Sequence, residues 1–140
     1  IIEFKNGDLL LNMRNYTNDR LRKLSVSKDQ GISWGDIFSD ESLIEPICQA
    51  SMINIQRPFK KELLAFSNPN SKNAREKMSI QFSLDQAKTW SQKILIHEGP
   101  SAYSNLVQLS NNEIACLFEG GRKSAYEGIA FKKINIKDIK

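Results

Sequence analysis

A chain of 140 residues, 40% of them apolar and 26% charged, is long enough to bury a core as one domain and too apolar for wholesale disorder. Its formal charge of +4 is scattered rather than run together, which argues against a nucleic-acid partner, and no apolar run reaches the ~18 residues of a membrane span. Two cysteines, Cys48 and Cys116, and a single histidine, His97, leave no material for a disulfide framework, a zinc cage or a Ser-His-Asp triad.

The chain opens Ile1-Ile2-Glu3-Phe4, without Met or a basic n-region, and reads as a strand cut from something longer. Short apolar runs follow at Leu9-Leu10-Leu11, Leu63-Leu64-Ala65-Phe66 and Ile114-Ala115-Cys116-Leu117-Phe118, and Met78 to Ser83 alternates with period two. These are strand patterns. Asn6-Gly7, Asn68-Pro69-Asn70, Gly99-Pro100 and Asn111-Asn112 punctuate them as turns. No amphipathic helix stands out. The expectation is an all-β chain of about eleven short strands.

An internal repeat decides the architecture. Ser27-Lys28-Asp29-Gln30-Gly31-Ile32-Ser33-Trp34 returns as Ser83-Leu84-Asp85-Gln86-Ala87-Lys88-Thr89-Trp90, at an offset of 56. Phe4 to Leu9 returns as Leu109 to Ile114 at 105, close to two such periods. A period near fifty in a β chain predicts propeller blades of four antiparallel strands. The first blade spans about 1–45, with strands at 1–4, 9–15, 21–27 and after Trp34. The second spans 46–100, with strands at 48–55, 63–67, 78–83 and 93–97. The third spans 101–140, with strands at 104–109, 113–119 and 128–136, and stops after three. A closing propeller commonly supplies the last strand from its N-terminal segment, which removes an exposed edge. The chain is therefore expected to be roughly the last three blades of a larger ring, relying on missing N-terminal blades of the same protein to close.

The repeated box has a mechanical logic. Ser and Asp side chains bond nearby backbone N–H groups, Gly takes a positive φ, and Trp packs behind the turn. The pattern resembles the Asp-box, or BNR repeat, whose role is structural. Ala87 stands where the first copy has Gly31, and an Ala held at positive φ costs ~1 kcal/mol, so that turn is expected to differ or to be strained. Trp34 and Trp90 are expected in the core.

In four-stranded blades, loops sort to two faces. Both boxes fall in turns between third and fourth strands. Arg14 and Glu119 end second strands, 105 apart; Arg75 lies in a loop between second and third strands; Pro46 to Gln49 and Ser101 to Tyr103 lead into first strands. All five positions belong to the face opposite the boxes, where a ligand site is expected. Paired arginines suit a carboxylate. A phenol serves as nucleophile where the substrate's own carboxylate would repel Asp or Glu.

Asn6 to Asn15, Glu45 to Gln49, Phe66 to Asn70, Ala74 to Ile80, Ala102 to Leu106 and Leu117 to Gly120 together resemble the C-terminal part of exo-α-sialidases (neuraminidases), six-bladed Asp-box propellers that remove terminal sialic acids from glycoconjugates. The resemblance implies that Arg14 and Arg75 are two of three arginines gripping the substrate carboxylate, that Tyr103 is the nucleophile of a retaining hydrolysis, and that Glu119 positions the remaining arginine. It places Cys48 and Gln49, with Pro46, on the glycerol or N-acetyl side of the pocket. It implies sialic-acid-containing glycans as partners, no metal or other cofactor, and a secreted, periplasmic, cell-surface or lysosomal setting. The first arginine, the acid/base Asp and the Glu partner of Tyr103 have no counterpart in this sequence, and Glu3 falls at the wrong register, so the resemblance implies about three of six blades and a chain inactive alone. A non-catalytic Asp-box propeller binding sialoglycans or a protein is the alternative, and a trans-sialidase would keep the same residues. Asn15-Tyr16-Thr17 is a glycosylation sequon by pattern alone.

Overall fold

The computed structural model describes residues 1–58 and 60–139. Ten strands follow in order: β1 (Ile2–Glu3), β2 (Leu9–Met13), β3 (Leu21–Ser27), β4 (Phe38–Ile44), β5 (Ser51–Ile55), β6 (Leu63–Pro69), β7 (Glu76–Ser83), β8 (Gln92–Ser110), β9 (Glu113–Gly120) and β10 (Gly128–Asn135). They form one antiparallel sheet of order β1-β2-β3-β4 and a second of order β10-β9-β8-β7-β6-β5. The all-β propeller architecture expected from the repeat is the one observed. Among the described residues no helix is long and apolar enough to cross a membrane.

The largest departure is in the second sheet. Two separate strands were expected on either side of Gly99-Pro100. Instead β8 runs through as 19 residues, its first half pairing with β7 and its second half with β9. Ser101 donates its N–H to the Arg75 carbonyl at 2.8 Å and Gly121 donates to the Pro100 carbonyl at 3.1 Å. These bonds hold the strand to both neighbours through the bend. The weak strand placed after Trp34 is β4, a full seven residues.

Two apolar clusters form most of the core, one between the two sheets and one between the two halves of the six-stranded sheet. Ile2, Phe4, Leu10, Leu24, Leu64 and Ala87 form one, with Met52 and Trp90 against it. Ile55, Leu63, Met78, Ile80, Phe82, Leu106, Ile114, Cys116 and Phe118 dominate the other. The period-two pattern explains the partition: Leu106 and Cys116 are buried, while their neighbours Val107 and Leu117 are 49% and 48% exposed. Trp90 packs against Phe66 and donates its indole N–H to Asp40 at 2.8 Å. Trp34, by contrast, is 37% exposed beside exposed Ile37 and Phe38, on an uncovered flank rather than in the core.

Both box turns adopt the same geometry. In the first, Gly31 donates its N–H to Ser27 Oγ at 2.8 Å and Ser33 to Asp29 Oδ1 at 2.9 Å. In the second, Ala87 donates to Ser83 Oγ at 3.0 Å and Thr89 to Asp85 Oδ1 at 2.9 Å. Gly31 has φ +90° and Ala87 φ +65°. Of the two outcomes expected for Ala87, the structure takes the strained turn. Its methyl is buried in the first apolar cluster, which offsets part of the backbone cost.

Candidate active site

At the end of the sheets opposite the boxes, four strand termini meet the bend of β8. Arg14 directly follows β2, Cys48 and Gln49 precede β5, Arg75 directly precedes β7, Tyr103 lies where β8 turns from one neighbour to the other, and Glu119 lies near the end of β9. Two irregularities aim the side chains. Lys77 has φ +59°, and the β7–β8 register shifts between Glu76 and Met78. On the β8–β9 ladder, Ser101 faces Gly120 and Ser104 faces Phe118. Three residue steps on β8 thus answer two on β9, a bulge containing Ala102 and Tyr103. Bulges of this kind re-aim a side chain and interrupt pairing beside functional sites.

The side chains converge as the strand ends do. The Arg75 guanidinium carbon lies 5.8 Å from the Tyr103 ring centroid, within cation–π range. Its Nη1 donates to Tyr126 Oη at 2.7 Å and its Nη2 to the Ile47 carbonyl at 3.0 Å. Arg14 hydrogen-bonds the hydroxyl of Tyr16, and its guanidinium lies 5.0 Å from that ring. Its pKa is raised, first by the bond to Tyr16 and then by the nearby Tyr103 side chain. Both arginines are thus neighbours of one phenol, and Tyr103 itself is 44% exposed. Glu119 accepts the backbone N–H of Tyr103 at 3.1 Å through Oε2.

Cys48 is buried with Ala102 and Ala125. Burial raises its thiol pKa against the opposing pull of Arg75 and Arg14, so the thiol is held neutral behind the site. The Gln49 amide accepts the Ser104 N–H at 2.9 Å and donates to the Ser104 carbonyl at 2.9 Å. It clamps the strand beside Tyr103. His97 contacts the Gly121 carbonyl at 3.2 Å and the Phe118 ring, away from the arginines. Among the described residues no group of His, Cys, Asp and Glu has the arrangement of a metal site.

Sequence reasoning missed four participants. Tyr16 and Tyr126 each meet an arginine. Tyr126 sits on a tight loop whose Glu127 carboxylate accepts the N–H groups of Arg122, Lys123 and Ser124 at 2.7–3.0 Å. Arg22 and Glu45 form a buried ion pair at 2.6 Å directly behind the site. Only Arg22 left a signal: it shares a period-two face with buried Leu24, a place where a lone guanidinium does not belong without a partner.

A family model described as a BNR repeat-like domain matches residues 1–116. The chain is 34% identical over 146 residues to a sialidase of Bacteroides fragilis, which covers 99% of this chain and 26% of that protein. It is 31% identical over 143 residues to a sialidase of Micromonospora viridifaciens, covering 96% of this chain and 21% of that one. The solved structure of the Hadza microbial sialidase Hz136 superposes with a TM-score of 0.83 at 32% identity, covering 97% of this chain and 27% of its own. The chain thus spans about a quarter of the length of the relatives it matches.

Proposed function

We propose, from the premise that this chain belongs to the BNR repeat-like domain family, that it forms the carboxylate-gripping, nucleophile-bearing part of an exo-α-sialidase. The observation that carries the reading is the pair of guanidiniums, Arg14 and Arg75, brought to the neighbourhood of one exposed phenol, Tyr103. A site for an ordinary neutral sugar has no use for two converging cations. A substrate whose anomeric carbon bears a carboxylate does, because each guanidinium offers a planar fork of donors to it.

The chemistry follows from the same geometry. With the carboxylate held by Arg14 and Arg75, the Tyr103 oxygen stands beside the anomeric carbon. The phenol loses its proton to a base and bonds to that carbon, while the bond to the aglycone oxygen breaks and the departing oxygen takes a proton from an acid. Water then adds to the same carbon, the bond to Tyr103 breaks, and the phenol regains its proton. Two displacements on one centre retain configuration. A neutral nucleophile avoids the repulsion a carboxylate would meet from the substrate. The base, the acid and the third arginine come from blades beyond this chain. Cys48 and Gln49 form the wall on the glycerol or N-acetyl side, and Glu119 holds the Tyr103 backbone while facing the third arginine.

The test is hydrolysis of a fluorogenic α-sialoside by the full-length polypeptide that carries this chain, beside its Tyr103→Phe variant. The expected result is a kcat lower by about 10³-fold or more in the folded variant, with the α-anomer released first by the parent. A folded parent that binds sialosides without turnover would replace this reading with a non-catalytic sialoglycan-binding propeller.

A further inference from the structure

Behind the pocket, Arg22 and Glu45 are 3% and 1% exposed and joined at 2.6 Å. Each spends its remaining capacity on a different segment of the site. Arg22 Nη1 also donates to the Cys48 carbonyl at 2.9 Å, and its Nε to Asn12 Oδ1 at 2.6 Å. Glu45 Oε1 accepts the backbone N–H of Asn15 at 3.2 Å and its side-chain amide at 3.3 Å. Asn15 is the residue after Arg14. The Cys48 carbonyl follows that of Ile47, the acceptor of Arg75 Nη2. Ile47 itself has φ +57°, which for a β-branched residue is strained and persists only where its surroundings impose it.

One buried pair is thus tied to the backbone next to Arg14 and to the backbone that receives Arg75. Burying two charges is expensive, and such a pair adds little net stability over apolar residues of the same volume. Its distinctive product here is geometry, since a guanidinium and a carboxylate fix directions that methyl groups do not. We infer that Arg22 and Glu45 are positioning residues that set the spacing of Arg14 and Arg75, so that both forks meet one substrate carboxylate.

The inference rests on the sialidase reading, and its test separates the two. In the full-length polypeptide, the double variant Arg22→Met/Glu45→Leu keeps the volume and removes the pair. Its expected behaviour is a melting temperature near that of the parent, a KM for the α-sialoside raised by about tenfold or more, and a kcat changed far less. Amide hydrogen exchange is expected to quicken at residues 14–16 and 46–49 while the strands keep their protection. A folded variant with parental KM, or with those segments as protected as before, overturns the inference. Glu45→Gln serves if the double variant does not fold: it keeps one acceptor for Asn15, loses the ion pair, and is expected to raise KM in the same direction. A parent silent on sialosides would retire the sialidase reading, while the exchange comparison would still decide whether the pair holds the two segments.

Discussion

Arg75 shows how much of this site depends on the fork of a single side chain. One nitrogen faces the Tyr126 hydroxyl, another the Ile47 carbonyl, and the guanidinium carbon lies 5.8 Å from the Tyr103 ring centroid. Lysine carries the same charge at a point and cannot hold two directions at once. Arg75→Lys is therefore expected to raise KM for an α-sialoside by about tenfold or more, with the fold intact by circular dichroism. Tyr126→Phe removes one acceptor and is expected to raise KM by only about threefold. The meeting of Arg14, Arg75 and Tyr103 was legible because each stands in a short motif at a strand boundary expected from the sequence. Tyr126 was not, because its partner lies 51 residues away and a long-range contact leaves no local pattern. Arg22 lies between these cases, marked by its place on a buried face but not by whom it would meet.

The turns and bulges carry the next level of information. Gly31 has φ +90°, and a Cβ there would stand 3.5 Å from Leu9, in ordinary contact. Gly31→Ala is therefore a clean measure of backbone strain, and denaturant unfolding should show a loss of about 1 kcal/mol. Gly121 differs: a Cβ there would stand 2.3 Å from the Ser124 carbonyl oxygen. Gly121→Ala should displace the loop that presents Tyr126 and so imitate Tyr126→Phe in KM. Hydrogen bonds from the Ser33 side chain and backbone hold the Asp29 carboxyl at a pKa of about 2, below the ordinary 3.8. Burial pushes Asp85 the other way, but bonds from Thr89 and Ser83 win and its pKa is also lowered. A depressed folded pKa stabilises the fold above the unfolded value, and that contribution is lost as pH falls through the folded one. The urea midpoint should accordingly fall from about pH 4 toward pH 2, and Asp29→Asn should flatten that slope. The box turns were legible because their bonds are local. The bulges at Lys77 and at Ala102-Tyr103 were not, because a bulge is a property of the register between two strands rather than of either one.

The whole molecule shows its repeat in the way its surfaces divide. β8, β9 and β10 bury one face against the neighbouring strands, yet Val107, Leu117, Ile129 and Phe131 leave the opposite face 48–66% exposed and apolar. Trp34, Ile37 and Phe38 do the same on the far flank. Patches of this kind mark association surfaces. The chain by itself should self-associate at micromolar concentration in sedimentation velocity, and Ile129→Lys with Phe131→Lys should suppress it. The short apolar runs and the period-two stretch announced strands, and the offset of 56 between the boxes pointed to the propeller architecture. The pattern gave no hint that two predicted strands would fuse into β8, since Gly99 and Pro100 ordinarily break a ladder.

That fusion has a mechanical consequence. A strand shared by two ladders is a beam without a joint: it cannot swing away from β7 without dragging on β9. Tyr103 sits on this beam close to its bend, braced on one side by the Arg75 carbonyl through Ser101 and on the other by Gly120. The wall of the pocket is thereby denied the slow breathing that independent hairpins would allow. Its stiffness is inherited from the ladders on either side, and a proline hinge cut into β8 would soften the pocket from a distance.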